Sequence, residues 1–351
     1  MNFELSEDQQ EIKRTARELL AARFKWEEVR RLALEEERAF TDEQWDELVS
    51  LGWPELAVPE EQGGQGLGTV EQAVIAEELG YACAPTPLDS TWAAARLLAA
   101  AGEAERLASG RRGTVAQVDE GSNALASLTD FDTRYEDGRL HGVKIGVPDA
   151  ASADLLVVTA AGGRHVLVEA GASGLSFEAT PGLDPTRRLY TVRLDGVPGE
   201  QLSGTEWESA WLAIAVFTAA SSVGVAQRAM ERAVASAKDR KQFERAIGSY
   251  QAVSHACAQM MLETEGARAA VLWAAWALDH EPETARLAAS VAKAYASDAG
   301  RRVPASALQV HGGIGFTWEH DLHFLLKRGQ ANARMYGDAR WHRDRVAEAV
   351  L

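Results

Sequence analysis

At 351 residues the chain is long enough to bury a large core divided among two or three domains, and 46% hydrophobic with 25% charged residues is the balance of a globular protein. Its 52 acidic against 36 basic residues leave a net charge of −16, which argues against nucleic acid as a partner; any anionic ligand has to find a local positive pocket. The two cysteines, Cys83 and Cys257, cannot form a disulfide scaffold and show no metal-ligand spacing, so a reducing cytoplasm is the expected compartment.

The N-terminal stretch MNFELSEDQQEIKRTARELL lacks the apolar core of a signal peptide and reads as a helix start with Ser6 as N-cap. Helical patterning continues to about Arg111, broken by a glycine-rich turn from Gly63 to Gly68 and by Pro85 and Pro87; alanine-rich residues 91–102 suit closely packed helices. From about Gly113 to Ser203, short Val/Leu segments at 154–159, 165–169 and 189–194 lie between Gly, Asp and Pro clusters, the signature of a small β-domain. From Thr205 onward, long alanine-rich helices predict an up-and-down bundle, with Pro304 and the Gly312-Gly313 turn as main punctuation. The longest uncharged run, 211–226, falls short of the roughly 20 residues a bilayer needs and predicts a buried helix, not a span. The expected fold class is α+β and mainly α, with domains at 1–111, 112–203 and 204–351. His311, His320 and His323 lack a carboxylate or Cys partner at metal spacing, so no metal is expected.

Two segments carry chemistry. In Arg240-Lys241-Gln242-Phe243, Arg240 offers a planar, permanently charged fork suited to phosphate, Gln242 a neutral donor, and Phe243 an apolar face. Roughly seventy residues on, the segment Gln309-Val310-His311-Gly312-Gly313-Ile314-Gly315-Phe316 pairs glycines where a pyrophosphate can approach the backbone and accept its N–H groups. Taken singly, the first reads as a solvated helix face and the second as a turn. Together they suit a dinucleotide diphosphate, as half of a flavin site.

RKQFERAIGSYQ from Arg240 to Gln251, GVAQ from Gly224 to Gln227, and QVHGGIGF resemble the C-terminal domain of the acyl-CoA dehydrogenase family. Gly52-Trp53, PEEQGGQGLG from Pro59 to Gly68, and Glu77-Glu78-Leu79-Gly80 are similar to that family's first helical domain. Gly142-Val143-Lys144 with residues 153–158 resembles one strand pair of its β-domain, and Asp184-Pro185-Thr186-Arg187 with residues 192–198 another. The likeness spans nearly the whole chain. It implies an N-terminal helical domain, a middle β-barrel or sandwich, a C-terminal four-helix bundle, and an FAD cofactor. By the same likeness Arg240 and Gln242 bind the pyrophosphate, and Gln309 with the backbone of Val310, Gly312 and Gly313 closes over the adenosine diphosphate. Phe243, Ile247 and Tyr250 line the nucleotide or isoalloxazine flank, with helix packing the other reading of the last two.

The chain departs from the family where the proton is removed. A family member takes a proton from the α-carbon of an acyl-CoA, generally with a Glu about twenty residues beyond the QxxGGxGF segment. Here that position falls at Tyr336 or Gly337, depending on the alignment, and the less common location falls near Ile214. Asp338 is the nearest acid and a weak candidate base; one residue along a helix turns it by about 100° from the Glu direction. The family's Thr-Glu-Pro and Gly-Ser-Asp contacts are replaced by Leu128-Thr129-Asp130-Phe131-Asp132-Thr133, and 104–113 is abbreviated. Glu244 stands where the family carries Gly, and is expected to turn from the diphosphate toward Arg245 or Lys241.

In family tetramers one subunit supplies the β-domain and base while its neighbour supplies the Arg-x-Gln-Phe and QxxGG segments. This chain keeps the neighbour's set and lacks the host's. It resembles the shorter, non-catalytic subunit of actinobacterial heteromeric (α2β2) acyl-CoA dehydrogenases, including those acting on steroid side-chain CoA thioesters. The resemblance implies a larger paralogous partner carrying the catalytic Glu, an acyl-CoA substrate, and electron-transfer flavoprotein as acceptor. Two other readings stand beside it: a self-sufficient homomeric dehydrogenase with a non-standard base, and a scaffold relic of the fold without redox work.

Overall fold

The computed structural model describes residues 4–122, 131–205 and 207–351. The chain begins with α1 (Glu7–Arg23), α2 (Trp26–Glu35), α3 (Asp42–Ser50), α4 (Thr69–Ala82) and α5 (Leu88–Ala100). Eight strands follow: β1 (Gly113–Ala116), β2 (Arg134–Glu136), β3 (Arg139–Pro148), β4 (Leu155–Ala160), β5 (Arg164–Glu169), β6 (Leu175–Thr180), β7 (Leu189–Pro198) and β8 (Glu200–Leu202). The 33-residue α6 (Trp207–Asp239) leads to the two-residue strands β9 (Lys241–Gln242) and β10 (Arg245–Ala246). Then come α7 (Gln251–His280), α8 (Pro282–His311), α9 (Leu322–Asn332) and α10 (Ala339–Val350). Ser6 caps α1 as its sequence predicts: its hydroxyl accepts from Gln9 N while the Gln9 side chain accepts from Ser6 N, a reciprocal box that Thr41 and Gln44 repeat on α3.

The residues cluster into two units, neither continuous in sequence. One comprises Met1–Arg30, Thr69–Ala84 and Ala215–Leu351; the other comprises Arg31–Gly68 and Pro85–Ile214. The second unit holds two four-stranded sheets, ordered β1-β4-β5-β8 and β2-β3-β7-β6. Leu140, Leu156, Val158, Val166, Val192 and Leu194 pack in one buried cluster drawn from both sheets. All six residues of β4 are buried, as expected of a strand with apolar cover on both faces, and α5 packs on β1 and β4.

The strand pairs expected from sequence are not those formed. β3 pairs with β2 and β7, placing Lys144 beside Val192, whereas β4 pairs with β1 and β5. The link between β3 and β4 turns through Asp149 in left-handed backbone (φ 53°) and a short 3₁₀ turn at Ala150–Ser152, which carries the chain from one sheet to the other. Residues 184–187 form no strand, because the Asp184 carboxylate accepts from the Thr186 N–H and hydroxyl and fixes a side-chain-closed turn.

In the helical unit, backbone touches backbone at glycine. A Cβ on Gly224 of α6 would lie 1.8 Å from Glu77 O of α4, and one on Gly80 of α4 would lie 2.0 Å from Ser221 O of α6. Pro304 does not punctuate the bundle, since α8 runs through it unbroken. Its missing N–H releases the carbonyl of Gly300, and that oxygen occupies the place a Cβ on Gly329 of α9 would take, 1.9 Å away. The apolar α6 has the length and composition to cross a membrane, yet 94% of its most apolar window is buried inside the protein, so it is a core helix.

Gly224→Ala is expected to destabilise the protein by about 2–3 kcal/mol because the obstacle is backbone rather than a movable side chain. Gly171→Ala, which meets nothing within 4 Å, serves as the control and is expected to change stability by less than about 0.5 kcal/mol. Thermal unfolding of the two variants checks this.

Candidate functional site

α6 ends at Asp239, and the chain reverses at once in an antiparallel hairpin pairing Gln242 with Arg245 and Lys241 with Ala246. Its two-residue turn, Phe243-Glu244, has φ of 50° and 66°, the doubly left-handed geometry that fits the twist of a tight hairpin. Glycine adopts this backbone freely, while other residues pay about 1 kcal/mol or more there. Glu244 therefore occupies a position where the family's Gly is unstrained. Among the described residues Glu244 makes no ion pair with Lys241 or Arg245; Arg245 instead lies over the Tyr250 ring, 3.9 Å from its centre. Tyr250 Oη donates to Gln242 O (3.2 Å) and Ile247 N donates to Arg240 O (2.9 Å), so both residues fasten the hairpin. Phe243 is 87% exposed at its tip.

The two motif segments meet. Arg240 Nη1 donates to His311 O at 2.8 Å, joining residues 71 apart in the sequence at the point where α8 stops. Gly312 then turns with φ 67°, and a Cβ there would press to 3.2 Å from Arg240 Nη1. Gly313 has open space around it, and Gln309 is exposed, whereas the Val310 side chain is buried and leaves only its main chain for contact. Ile314 and Phe316 are exposed on the turn that follows. The arrangement presents a guanidinium held by one N–H, with others to spare, beside unshielded backbone, a donor set able to hold a diphosphate.

The segment where a base belongs is built for other work. Lys293 of α8 is fully buried, and its ammonium donates to Ser297 Oγ (3.0 Å), Asn332 O (3.0 Å) and Gly337 O (2.8 Å). Three donors meet three acceptors, clamping the link between α9 and α10. Burial pushes Lys293 down to about 7, with the Asp338 charge opposing. His342 Nε2 bonds to Tyr336 O (2.8 Å), and a Cβ on Gly337 would fall 2.6 Å from that same nitrogen. Tyr336 and Gly337 both have left-handed backbone, at φ 52° and 89°.

Residues 336–338 are thus not helical, and the expected one-residue helix rotation does not describe Asp338. Nor is it an acid on an exposed helix face: its carboxylate accepts from Trp341 N (2.9 Å) as the N-cap of α10, and that bond, with smaller help from Arg340 N and Arg334, lowers its pKa. A base needs the opposite shift. At the other location Ala213, Ile214, Ala215 and Val216 are all buried and apolar.

Of the altered β-domain segment, Leu128, Thr129 and Asp130 lie outside the described residues. Thr133 Oγ1 and Asp132 N both donate to Asp119, whose carboxylate pairs with buried Lys144 at 2.9 Å, while Phe131 lies under the Lys144 ammonium. Sequence reading missed this buried pair and the Lys293 clamp, since neither lysine has an acid at helical or strand spacing to flag it. Among the described residues no group of three or more metal-binding side chains occurs.

Residues 6–106 match the acyl-CoA dehydrogenase N-terminal domain and residues 214–351 the acyl-CoA dehydrogenase C-terminal domain. The chain is 30% identical over 348 residues to acyl-CoA dehydrogenase IpdE2 of Mycolicibacterium smegmatis, covering 99% of this chain and 100% of that one. The chain belongs to the acyl-CoA dehydrogenase family. Its members are FAD flavoproteins that oxidise a CH–CH bond. Among solved structures, the Tcur3481-Tcur3483 steroid acyl-CoA dehydrogenase (G363A variant) matches with TM-score 0.88 and 30% identity over 98% of both chains. The ChsE4-ChsE5 complex from Mycobacterium tuberculosis matches with TM-score 0.89 and 26% identity over 100% of this chain and 99% of that one.

Asp338→Asn keeps a cap and removes the charge, so turnover by an active assembly is expected to stay within about twofold, where loss of a base costs at least about a hundredfold. Lys293 makes a second test. Its folded value is about 7 against 10.5 for the free group, so between these values the unfolded chain holds the extra proton and stability rises with pH. Urea titrations from neutral to mildly alkaline pH should show that rise in the native sequence, and a flatter one in Lys293→Met.

Proposed function

We propose that this acyl-CoA dehydrogenase chain is the non-catalytic subunit of a heteromer, completing an FAD site whose β-domain contacts and catalytic Glu come from a larger paralogous partner. The observation that carries this is a pairing of opposites. Arg240 is seated on His311 O beside the open Gly312-Gly313 backbone, while the base position is closed by His342 and clamped by Lys293. Arg240 and Gln242 hold the pyrophosphate; Gln309 and the main chain at Val310, Gly312 and Gly313 lie over the adenosine diphosphate. Phe243 extends from the hairpin toward the partner, and Ile247 and Tyr250 keep the hairpin in place. Bound FAD would accept hydride from the β-carbon of an acyl-CoA; the α-proton leaves to the partner's base, and this chain's residues bind and orient.

Structural likeness to two assemblies named as pairs, one of them a steroid acyl-CoA dehydrogenase, supports a heteromer and a CoA thioester of a steroid side chain as substrate. Electron-transfer flavoprotein fits as the acceptor, and the cytoplasm as the compartment. A self-sufficient homomer is disfavoured because Asp338 is spent on a helix cap.

Visible absorbance of the protein purified alone, and again after co-expression with the paralogue encoded nearest to it, tests the reading. Flavin is expected only in the complex, at one per pair of unlike chains; stoichiometric flavin on the lone chain would sink the proposal. Arg240→Ala should lower flavin retention in the complex at least about tenfold through lost charge-assisted bonds.

A further inference from the structure

Away from the Arg240 turn, the helical unit contains a cavity of about 320 Å³ bounded by α1, the start of α2, α4, α6 and the entry to α9. Leu20, Phe24 and Trp26 form apolar walls, and Tyr81, Arg17 and Arg228 form a polar one. The Tyr81 ring carries a guanidinium at 3.4 Å (Arg17) and another at 4.8 Å (Arg228) from its centre.

The charges around this wall do not balance. Glu78 is bound by Arg17 through two bonds and by Lys13; Glu77 by Lys13 and Arg268; Asp321 by Arg30 and Arg232. Glu231 is engaged by the Tyr81 hydroxyl and the Gln227 amide. Arg228 is left over. Among the described residues its side chain makes one hydrogen bond, from Nη1 to Tyr81 Oη at 2.8 Å, and no carboxylate lies within ion-pair distance of it. The phenol is neutral, since burial and then the Glu231 hydrogen bond push its pKa up. Arg228 is half-buried at the cavity wall, and its guanidinium offers further N–H groups there to an anionic ligand.

We propose that this cavity binds a small organic monocarboxylate with a flat apolar body, its carboxylate on Arg228 and its body against Phe24 and Trp26. A planar guanidinium matches a carboxylate in two-point fashion. The volume is at the small end of ligand pockets, suited to one ring. Leu20, Phe24 and Trp26 give an organic body apolar surface to pack on, which sets a monocarboxylate apart from inorganic phosphate. No residue of the site belongs to the Arg240 turn, so it stands or falls independently of the flavin reading.

The test titrates the full chain, or its complex with the partner, with benzoate and cyclohexanecarboxylate, using methyl benzoate and inorganic phosphate as controls. Calorimetry and Trp fluorescence give the readout. Saturable one-to-one binding of the carboxylates is expected, weakened at least about tenfold in Arg228→Gln, which keeps a donor for Tyr81 and loses the charge. Ala21→Leu, which fills the cavity from α1, is expected to abolish binding while the melting temperature holds, and decides the matter should Arg228→Gln not fold. No saturable binding up to about 10 mM, equal affinity for phosphate or the methyl ester, or unaltered binding in Ala21→Leu would overturn the proposal.

Discussion

Backbone-to-backbone contact at glycine governs the helical unit. Gly224 admits the Glu77 carbonyl, Gly80 the Ser221 carbonyl, and Gly329 the Gly300 carbonyl that Pro304 sets free, so α4, α6, α8 and α9 lie closer together than any side chain would permit. Such contacts leave little freedom to slide, because interiors pack at the density of organic crystals and shifts of a methylene are felt. The fixed ends of α6 and α8 then determine the rest. One ends in the hairpin bearing Gln242 and Phe243, the other at His311, and a single hydrogen bond from Arg240 ties them.

Within this packing, two buried lysines are matched to acceptors. Lys293 has three acceptors for three protons, and Lys144 has Asp119 along with Gln117 O and Thr159 Oγ1. Both are positioning devices: the first holds the segment before α10, the second the segment after the undescribed residues of the β-domain. Half of their partners are main-chain oxygens, which charge patterning along the sequence does not reveal.

The helices and the motif that opens at Arg240 were legible because periodicity, caps and glycine turns are local signals; Ser6 at α1 and the stop at Gly312 both follow from neighbouring residues. Strand partners were not. Gly142-Val143-Lys144 and the run at 153–158 are adjacent in sequence, and only the turn at Asp149 separates them into different sheets, a tertiary choice that no strand propensity encodes. Pro304 misled for a related reason, since the carbonyl it frees finds its place on another helix. At the candidate site, Arg240 and the glycine turn were readable as chemistry, while the cap role of Asp338 depended on where α10 begins, the least certain feature of any sequence reading.

The fit between Gly337 and His342 also decides which residues the loop before α10 can accept. Any side chain at residue 337 meets the imidazole and sits on a left-handed backbone, while Lys293 holds the carbonyl from behind. A larger residue there requires the imidazole to move and the clamp to shift with it. Glycine at residue 337 is therefore a packing requirement as much as a conformational one.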